Sequence, residues 1–203
     1  TLAQNVEDAG GKVSYRTKDN SQRPYELNIA LFDALKNHVH GGDDSYQEAR
    51  FLSAHTIMLS LEGIPAFYIH SLLATQNDYE KVKHSGQNRG INRHQWKMHE
   101  LELMLLAENH HSRMFYELLR LITIRKQQEA FHPNATQFTL DLGNSILALW
   151  RQSLDRSQSI FSIHNIANQN ISVQLSDLNL IETDNWVDLI SETKLARSHG
   201  ELI

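Results

Sequence analysis

Between residues 45 and 69 the chain reads as a helix, a tight turn and a wholly apolar run, and few folds accept that succession. From Ser45 to Leu61 the pattern predicts an amphipathic helix, because Phe51, Leu52, His55, Met58, Leu59 and Glu62 recur at spacings of three and four. Ser45 stands as N-cap with Glu48 three residues on, the capping-box pairing. Gly63 ends the helix and Pro65 prevents its return. The run Ile64–Ile69 has no polar face. A run of that length predicts a strand buried on both sides, as in a parallel sheet flanked by helices. Helix, turn and buried strand make half of a βαβ unit. The polar loop from about Ser71 to His94 leaves the C-terminal end of that strand, where α/β barrels build their active sites.

The flanks divide the chain further. Residues 1–24 are polar, with turns at Gly10-Gly11 and Pro24, and are expected to form an irregular excursion. Residues 25–40 carry Leu27, Ile29, Leu31, Phe32 and Leu35, which admit a short strand or a one-face helix; a helix from about Asn28 is the expectation. A loop follows from His38 to Ser45. Residues 97–128 are expected to be helical with a break near Asn109–Ser112, and Phe131–Asn134 is a linker. The period then changes to two at Phe138, Leu140 and Leu142 and again at Ile171, Val173 and Leu175. Ile146–Gln152 and Ser159–Asn165 are two more strand-like runs, so a small antiparallel β domain is expected from near residue 135.

Composition excludes several functions. The net charge of −5 argues against a general nucleic-acid binder, which needs a basic surface. The absence of cysteine removes disulfides, thiolate metal sites and thiol catalysis, and fits a reducing compartment; a cytoplasmic location is expected. No apolar run approaches the roughly 20 residues of a membrane helix. Among twelve histidines, His38 with His40 and His110 with His111 are the close pairs. Neither places both rings on one helical face beside a carboxylate, so no metal and no cofactor are expected. His55 and His70 read as hydrogen-bonded residues in or near the core. No nucleophile elbow or phosphate-binding glycine loop occurs.

Two segments carry candidate chemistry. Within residues 76–96, Lys81, Lys83, His84, Arg89, Arg93 and His94 form a basic cluster in an acidic protein. Arginine forks match phosphate or carboxylate oxygens, and Asn92 is suited to sugar hydroxyls. A solvated loop with surface ion pairs explains the same residues. Tyr25 beside Glu26 suits a ring that stacks on a sugar next to an acid; it also suits a helix start with Glu26 near the positive end of the dipole.

Several stretches together resemble the sucrose phosphorylase group of the α-amylase clan, glycoside hydrolase family thirteen. Gly63, Pro65 and Tyr68 before a polar loop resemble the eighth strand of that clan's barrel. Arg23–Leu35 resembles the acceptor-side loop. Ala49–Leu52 through Pro65, His70–Leu73, Asn77-Asp78, Arg89–His94 and Ala130–Asn134 follow in the group's order. The resemblance implies an α/β plus all-β chain: the C-terminal end of a (β/α)8 barrel, with its last helices and last strand, then a small antiparallel β-sheet domain. Residues 1–44 would be the acceptor-side region, 45–130 the barrel end and 131–203 the β domain. It implies a retaining transfer of glucose from sucrose, sucrose phosphate or glucosylglycerate to inorganic phosphate, by an Asp nucleophile, a Glu acid/base and a stabilising Asp; a hydrolase or transglucosidase of the same clan, and a stand-alone carbohydrate-binding or interaction module, are the alternative readings. Those carboxylates sit on earlier strands in that group, so no catalytic residue is assigned here, and an N-terminal barrel portion of the same polypeptide is the expected partner. Tyr25 and Glu26 match the acceptor-loop pair, which is Tyr-Gln in enzymes of free sucrose; Glu26 points away from strict sucrose use. Arg93 matches an arginine of the acceptor or phosphate subsite, with Arg89 and Asn92 its motif neighbours.

Overall fold

The computed structural model describes residues 1–36, 45–174, 178 and 186–194, and the backbone of 201–202. The predicted loop at 38–45, most of which falls at 37–44, and the strand position Leu175 lie outside the described residues. The chain forms two compact units. One comprises residues 1–54 and 66–119, the other residues 55–65 and 120–203.

The first unit opens with structure where an irregular excursion was expected. Helix α1 (Leu2–Asp8) leads into a hairpin of β1 (Lys12–Lys18) and β2 (Ser21–Asn28). Lys18 pairs with Ser21, so the loop is Asp19-Asn20, at φ 52° and 56°. Two positive φ angles define the hairpin turn whose twist matches that of the strands. Val6 and Val13 are buried, which is how so polar a segment finds a core. Gly10 sits at φ +84°, a left-handed conformation that strains any larger residue, and an added Cβ would also stand 2.5 Å from the Tyr79 hydroxyl. The helix expected from Asn28 is corrected as well: β2 runs through Asn28, and a single helical turn, α2 (Leu31–Ala34), begins three residues later.

Helix α3 (Gln47–Ser60) begins one to two residues past the predicted cap. The Arg50 N–H bonds the Tyr46 carbonyl at 2.8 Å, and Glu48 binds the Arg113 guanidinium at 2.6 Å rather than folding back on the cap. The predicted buried strand at Ile64–Ile69 pairs with no strand among the described residues. Residues 64–68 carry no regular secondary structure, Ile64 is 83% exposed, and Ile69 already belongs to the turn α4 (Ile69–Leu72). A strand of this kind needs a neighbour on either side, and no strand pairs with it among the described residues. The polar loop beyond it is ordered into α5 (Tyr79–Ser85) and a 3-10 turn, Asn88–Asn92. Helices α6 (Met98–Leu106) and α7 (His110–Lys126) are separated by residues 107–109, at the edge of the expected break.

The second unit holds an antiparallel sheet of β3 (Thr136–Leu140), β4 (Ile146–Gln152) and β5 (Ser159–Asn165), close to the runs read from the sequence. Phe138, Trp150 and Phe161 stand opposite one another across the three strands. Ile146 and Ala148 share one core with Val173 and Leu178. On the other face Arg151 is fully buried and donates to the carbonyls of Ser60, His132 and Ala135. A short pair, β6 (Val173–Gln174) with β7 (Glu201–Leu202), completes the described strands.

Candidate functional site

The hairpin and the 3-10 turn lie against each other, and polar side chains hold them there. Asn88 Nδ2 donates to the Val13 carbonyl at 3.3 Å and to Ser14 Oγ at 3.2 Å. Asn92 Nδ2 reaches the Ile29 carbonyl at 3.5 Å, just past the end of β2, and the Asn92 carbonyl accepts from the Tyr68 hydroxyl at 3.2 Å. Ile91 between them is fully buried.

Of the five predicted site residues, the fold brings Glu26 and Arg89 together, with Arg89 Nη2 3.4 Å from Glu26 Oε1. The Arg89 side chain is about half exposed, and an ion pair in that setting contributes roughly 0–1 kcal/mol. Arg89 is therefore available to a competing anion. Tyr25 owes its position to a bulge. Ser14 pairs with Glu26 and Tyr15 with Pro24, which leaves Tyr25 unopposed. An unpaired residue in a ladder is turned out of the regular alternation, and Tyr25 is 53% exposed. Arg93 is exposed and makes no ion pair among the described residues; its carbonyl accepts from Lys81 Nζ. Asn92 spends its amide donor on the hairpin. Among the described residues no hydrogen bond or ion pair joins Tyr25 or the Arg93 guanidinium to the other three.

Beneath this surface lies a polar network to which the sequence assigned no role. Asp78 caps α5 by accepting from the Lys81 N–H at 2.8 Å, and its second oxygen is 2.7 Å from His94 Nδ1. Burial pushes this carboxyl up, but the Lys81 N–H and His94 outweigh it and hold it below its ordinary value. The His94 ring meets Trp96 edge to face, and Trp96 Nε1 donates to Thr75 Oγ1 at 3.1 Å. His111 Nδ1 donates to the Leu73 carbonyl at 2.7 Å, and His110 stacks on Phe32 with ring centres 4.8 Å apart. Burial, then the neighbouring His111, lower the His110 pKa to about 4. The sequence held one signal for this network, since Asn77-Asp78 before a short helical stretch is an N-cap pattern. Among the described residues no group of three or more His, Cys, Asp or Glu is placed to hold a metal ion, and no helix is long and apolar enough to cross a membrane.

With this geometry in view, the chain compares with known proteins as follows. It is 33% identical over 198 residues, 96% of its length, to a glucosylglycerate phosphorylase of Escherichia coli (strain K12). It is 32% identical over 137 residues, 68% of its length, to a sucrose 6(F)-phosphate phosphorylase of Thermoanaerobacterium thermosaccharolyticum. Its homologues are glucosylglycerate and sucrose phosphorylases. The crystal structure of sucrose 6F-phosphate phosphorylase from Thermoanaerobacter thermosaccharolyticum superposes on 79% of the chain with a TM-score of 0.62 and 27% identity, and the match falls on the C-terminal region of that phosphorylase. The chain spans about a third of the length of the first of these phosphorylases and a quarter of the second, 34% and 25%. No protein-family model matches it.

Proposed function

We propose that this chain supplies the acceptor side and the C-terminal β domain of a retaining α-glucosyl phosphorylase. The enzyme would move glucose from a small glucoside, glucosylglycerate foremost, to inorganic phosphate and release α-glucose 1-phosphate. The observation that carries this reading is the similarity to a glucosylglycerate phosphorylase over 96% of the chain. The geometry supports it. Arg89, itself about half exposed, is paired among the described residues with the partly buried Glu26 carboxylate alone, Arg93 is unpaired among them, and the two lie four positions apart, one on the 3-10 turn and one just past it. Such a pair favours a dianionic phosphate, or the carboxylate of a glycerate leaving group. Tyr25, turned out by its bulge, offers a ring to the sugar.

Two-step retention requires two carboxylates about 5–5.5 Å apart on either side of the scissile bond. We assign them to an N-terminal barrel portion of the same polypeptide. Residues 1–44 then form the acceptor side, 45–130 the barrel end and 131–203 the β domain. Segment 64–68 becomes the last barrel strand; its exposed Ile64 and Tyr68, and the absence of a pairing strand among the described residues, support that assignment. We place the enzyme in the cytoplasm, because its dianionic product is retained behind a bilayer.

The test is to incubate the polypeptide that joins this chain to its proposed barrel portion with glucosylglycerate, sucrose or sucrose phosphate, with and without phosphate. Release of α-glucose 1-phosphate that requires phosphate, fastest from glucosylglycerate, is expected. Free glucose at a rate indifferent to phosphate would make the protein a hydrolase or transglucosidase and end this reading.

A further inference from the structure

Besides the direct contacts of Asn88, Asn92 and Arg89, the two halves of the candidate site are tied through one dipeptide at the start of α5. Asn77 faces the hairpin half. Its Oδ1 accepts from the Ala30 N–H at 2.8 Å, two residues past β2. Its own N–H donates to Asp33 Oδ2 at 2.5 Å, on α2, and its Nδ2 donates to the Tyr79 hydroxyl at 3.3 Å. Asp33 is buried, so this tie is anchored in the core of the unit rather than on a mobile side chain. Asp78 faces the arginine half. Its N–H donates to the Ile91 carbonyl at 2.7 Å, in the middle of the 3-10 turn, and its carboxylate holds His94, next to Arg93.

Capping α5 needs a single oxygen, Asp78 Oδ1. The other Asp78 oxygen, its N–H, and the N–H and Oδ1 of Asn77 do not serve the helix; of the Asn77 side chain only Nδ2 turns back to it, at Tyr79. These groups run to Ala30 and Asp33, which follow the Tyr25-Glu26 strand, and to Ile91 and His94, which lie beside Arg89 and Arg93. We propose that Asn77 and Asp78 are positioning residues: together they fix the separation between the Tyr25-Glu26 strand and the Arg89–Arg93 turn, and through it the fit of the acceptor or phosphate. This rests on the phosphorylase reading above. Neither residue touches the substrate. An error of about 1 Å in placing a binding group is enough to cost on the order of a hundredfold in rate or affinity.

The experiment compares Asn77→Ala, Asp78→Ala and Asp78→Asn with the parent in the polypeptide that includes the barrel portion. Asparagine at 78 keeps the cap acceptor and offers His94 an amide donor, so it preserves the geometry without the charge. Both alanine variants are expected to raise KM for phosphate about tenfold, the fold-change of one lost hydrogen bond, with kcat within about twofold. Asp78→Asn is expected to restore most of that loss. A parallel arm needs no substrate: in Asn77→Ala the Ala30 amide should exchange with solvent about tenfold faster, again the effect of one hydrogen bond, while the Val13 and Leu27 amides are unchanged. The proposal is overturned if Ala30 exchange does not move, if it moves while KM does not, or if kcat, KM and melting temperature all worsen alike and Asp78→Asn is no better than Asp78→Ala. Should the parent show no phosphorolysis, the phosphorylase reading fails by itself, and the exchange arm still decides whether the dipeptide joins the two halves.

Discussion

Arg125 and Arg151 are buried guanidinium groups that make no ion pair among the described residues; carbonyl oxygens accept from their terminal N–H groups instead, and Arg151 Nε is left without a hydrogen-bond partner. Arg125 donates to the carbonyls of Leu59, Leu61, Gly63 and Phe131, and Arg151 to those of Ser60, His132 and Ala135. Both also lie over the Phe131 ring. The last turn of α3 exposes carbonyls with no helical partner, and cations there also meet the negative end of the dipole. Burial lowers the pKa of both groups. Arg151→Met keeps roughly the volume but removes the donors to the Ser60, His132 and Ala135 carbonyls, of which that of His132 still accepts from the Ala135 N–H, and we expect a loss of about 2–4 kcal/mol, read as a drop in the urea midpoint. Arg93→Ala should behave oppositely in the intact enzyme. Its exposed head group supports no fold contact, so melting should be unchanged while KM for phosphate rises roughly 10–100-fold, the worth of a charge-assisted hydrogen bond. His110 sets a pH dependence. Burial first, and then His111, hold its folded pKa at about 4 against an ordinary 6.5. The unfolded chain therefore binds the proton first, and the stability from neutral His110 is complete above pH 6.5 and lost as the pH falls toward 4. A ring titration by NMR should place His110 near 4, and titration near 6.5 would refute the burial account. None of these roles was legible in the sequence, where an arginine at 151 reads as a surface residue. The structure shows why it is not one: β4 is buried on both faces, with Ile146 and Ala148 on one and Leu149 and Arg151 on the other.

At the scale of elements, legibility followed how much apolar pattern each segment carried. The runs Ile146–Gln152 and Ser159–Asn165 became β4 and β5 with the same bounds: β4, the central strand, buries residues on both faces, and β5 at the edge is half-buried along most of its length. The break between α6 and α7 was visible in the polar stretch near Asn109. The β1–β2 hairpin was not, since Val13 and Asn28 are its only buried positions. Period-two hydropathy cannot register a strand with one buried residue. Turn chemistry was the available signal: Asp19-Asn20 is a two-residue pair that tolerates positive φ. Asn20→Gly should stabilise the hairpin by about 0.4–1 kcal/mol where φ is already 56°, seen as slower amide exchange along β1 and β2. Asn20→Val should do the reverse, because a β-branched residue resists that conformation. The run 64–69 failed in the other direction. Its apolar content predicted a buried strand, whereas among the described residues the segment is unpaired and Ile64 is exposed, because apolar content does not say whether a neighbouring strand is there to pair with it.

At the scale of the whole molecule, the five predicted site residues fall into a pattern that composition did not distinguish from a solvated loop. The fold pairs Glu26 with Arg89, stitches Asn92 to the hairpin, and leaves Tyr25 and Arg93 facing solvent. Order within the polar segment 76–94 is what separates a binding surface from a loop, and that order comes from long-range contacts of Asn77, Asp78 and Asn88. The central claim is that residues 64–68 close a sugar-handling barrel and that the arginine-bearing turn overlooks its pocket. The most direct test is the structure, with phosphate bound, of the polypeptide that joins this chain to its proposed barrel portion. The account predicts parallel strands on both sides of Ile64–Tyr68 and an anion within hydrogen-bond reach of Arg93. It is contradicted if that segment lies at a sheet edge, or if the anion binds far from both Arg89 and Arg93.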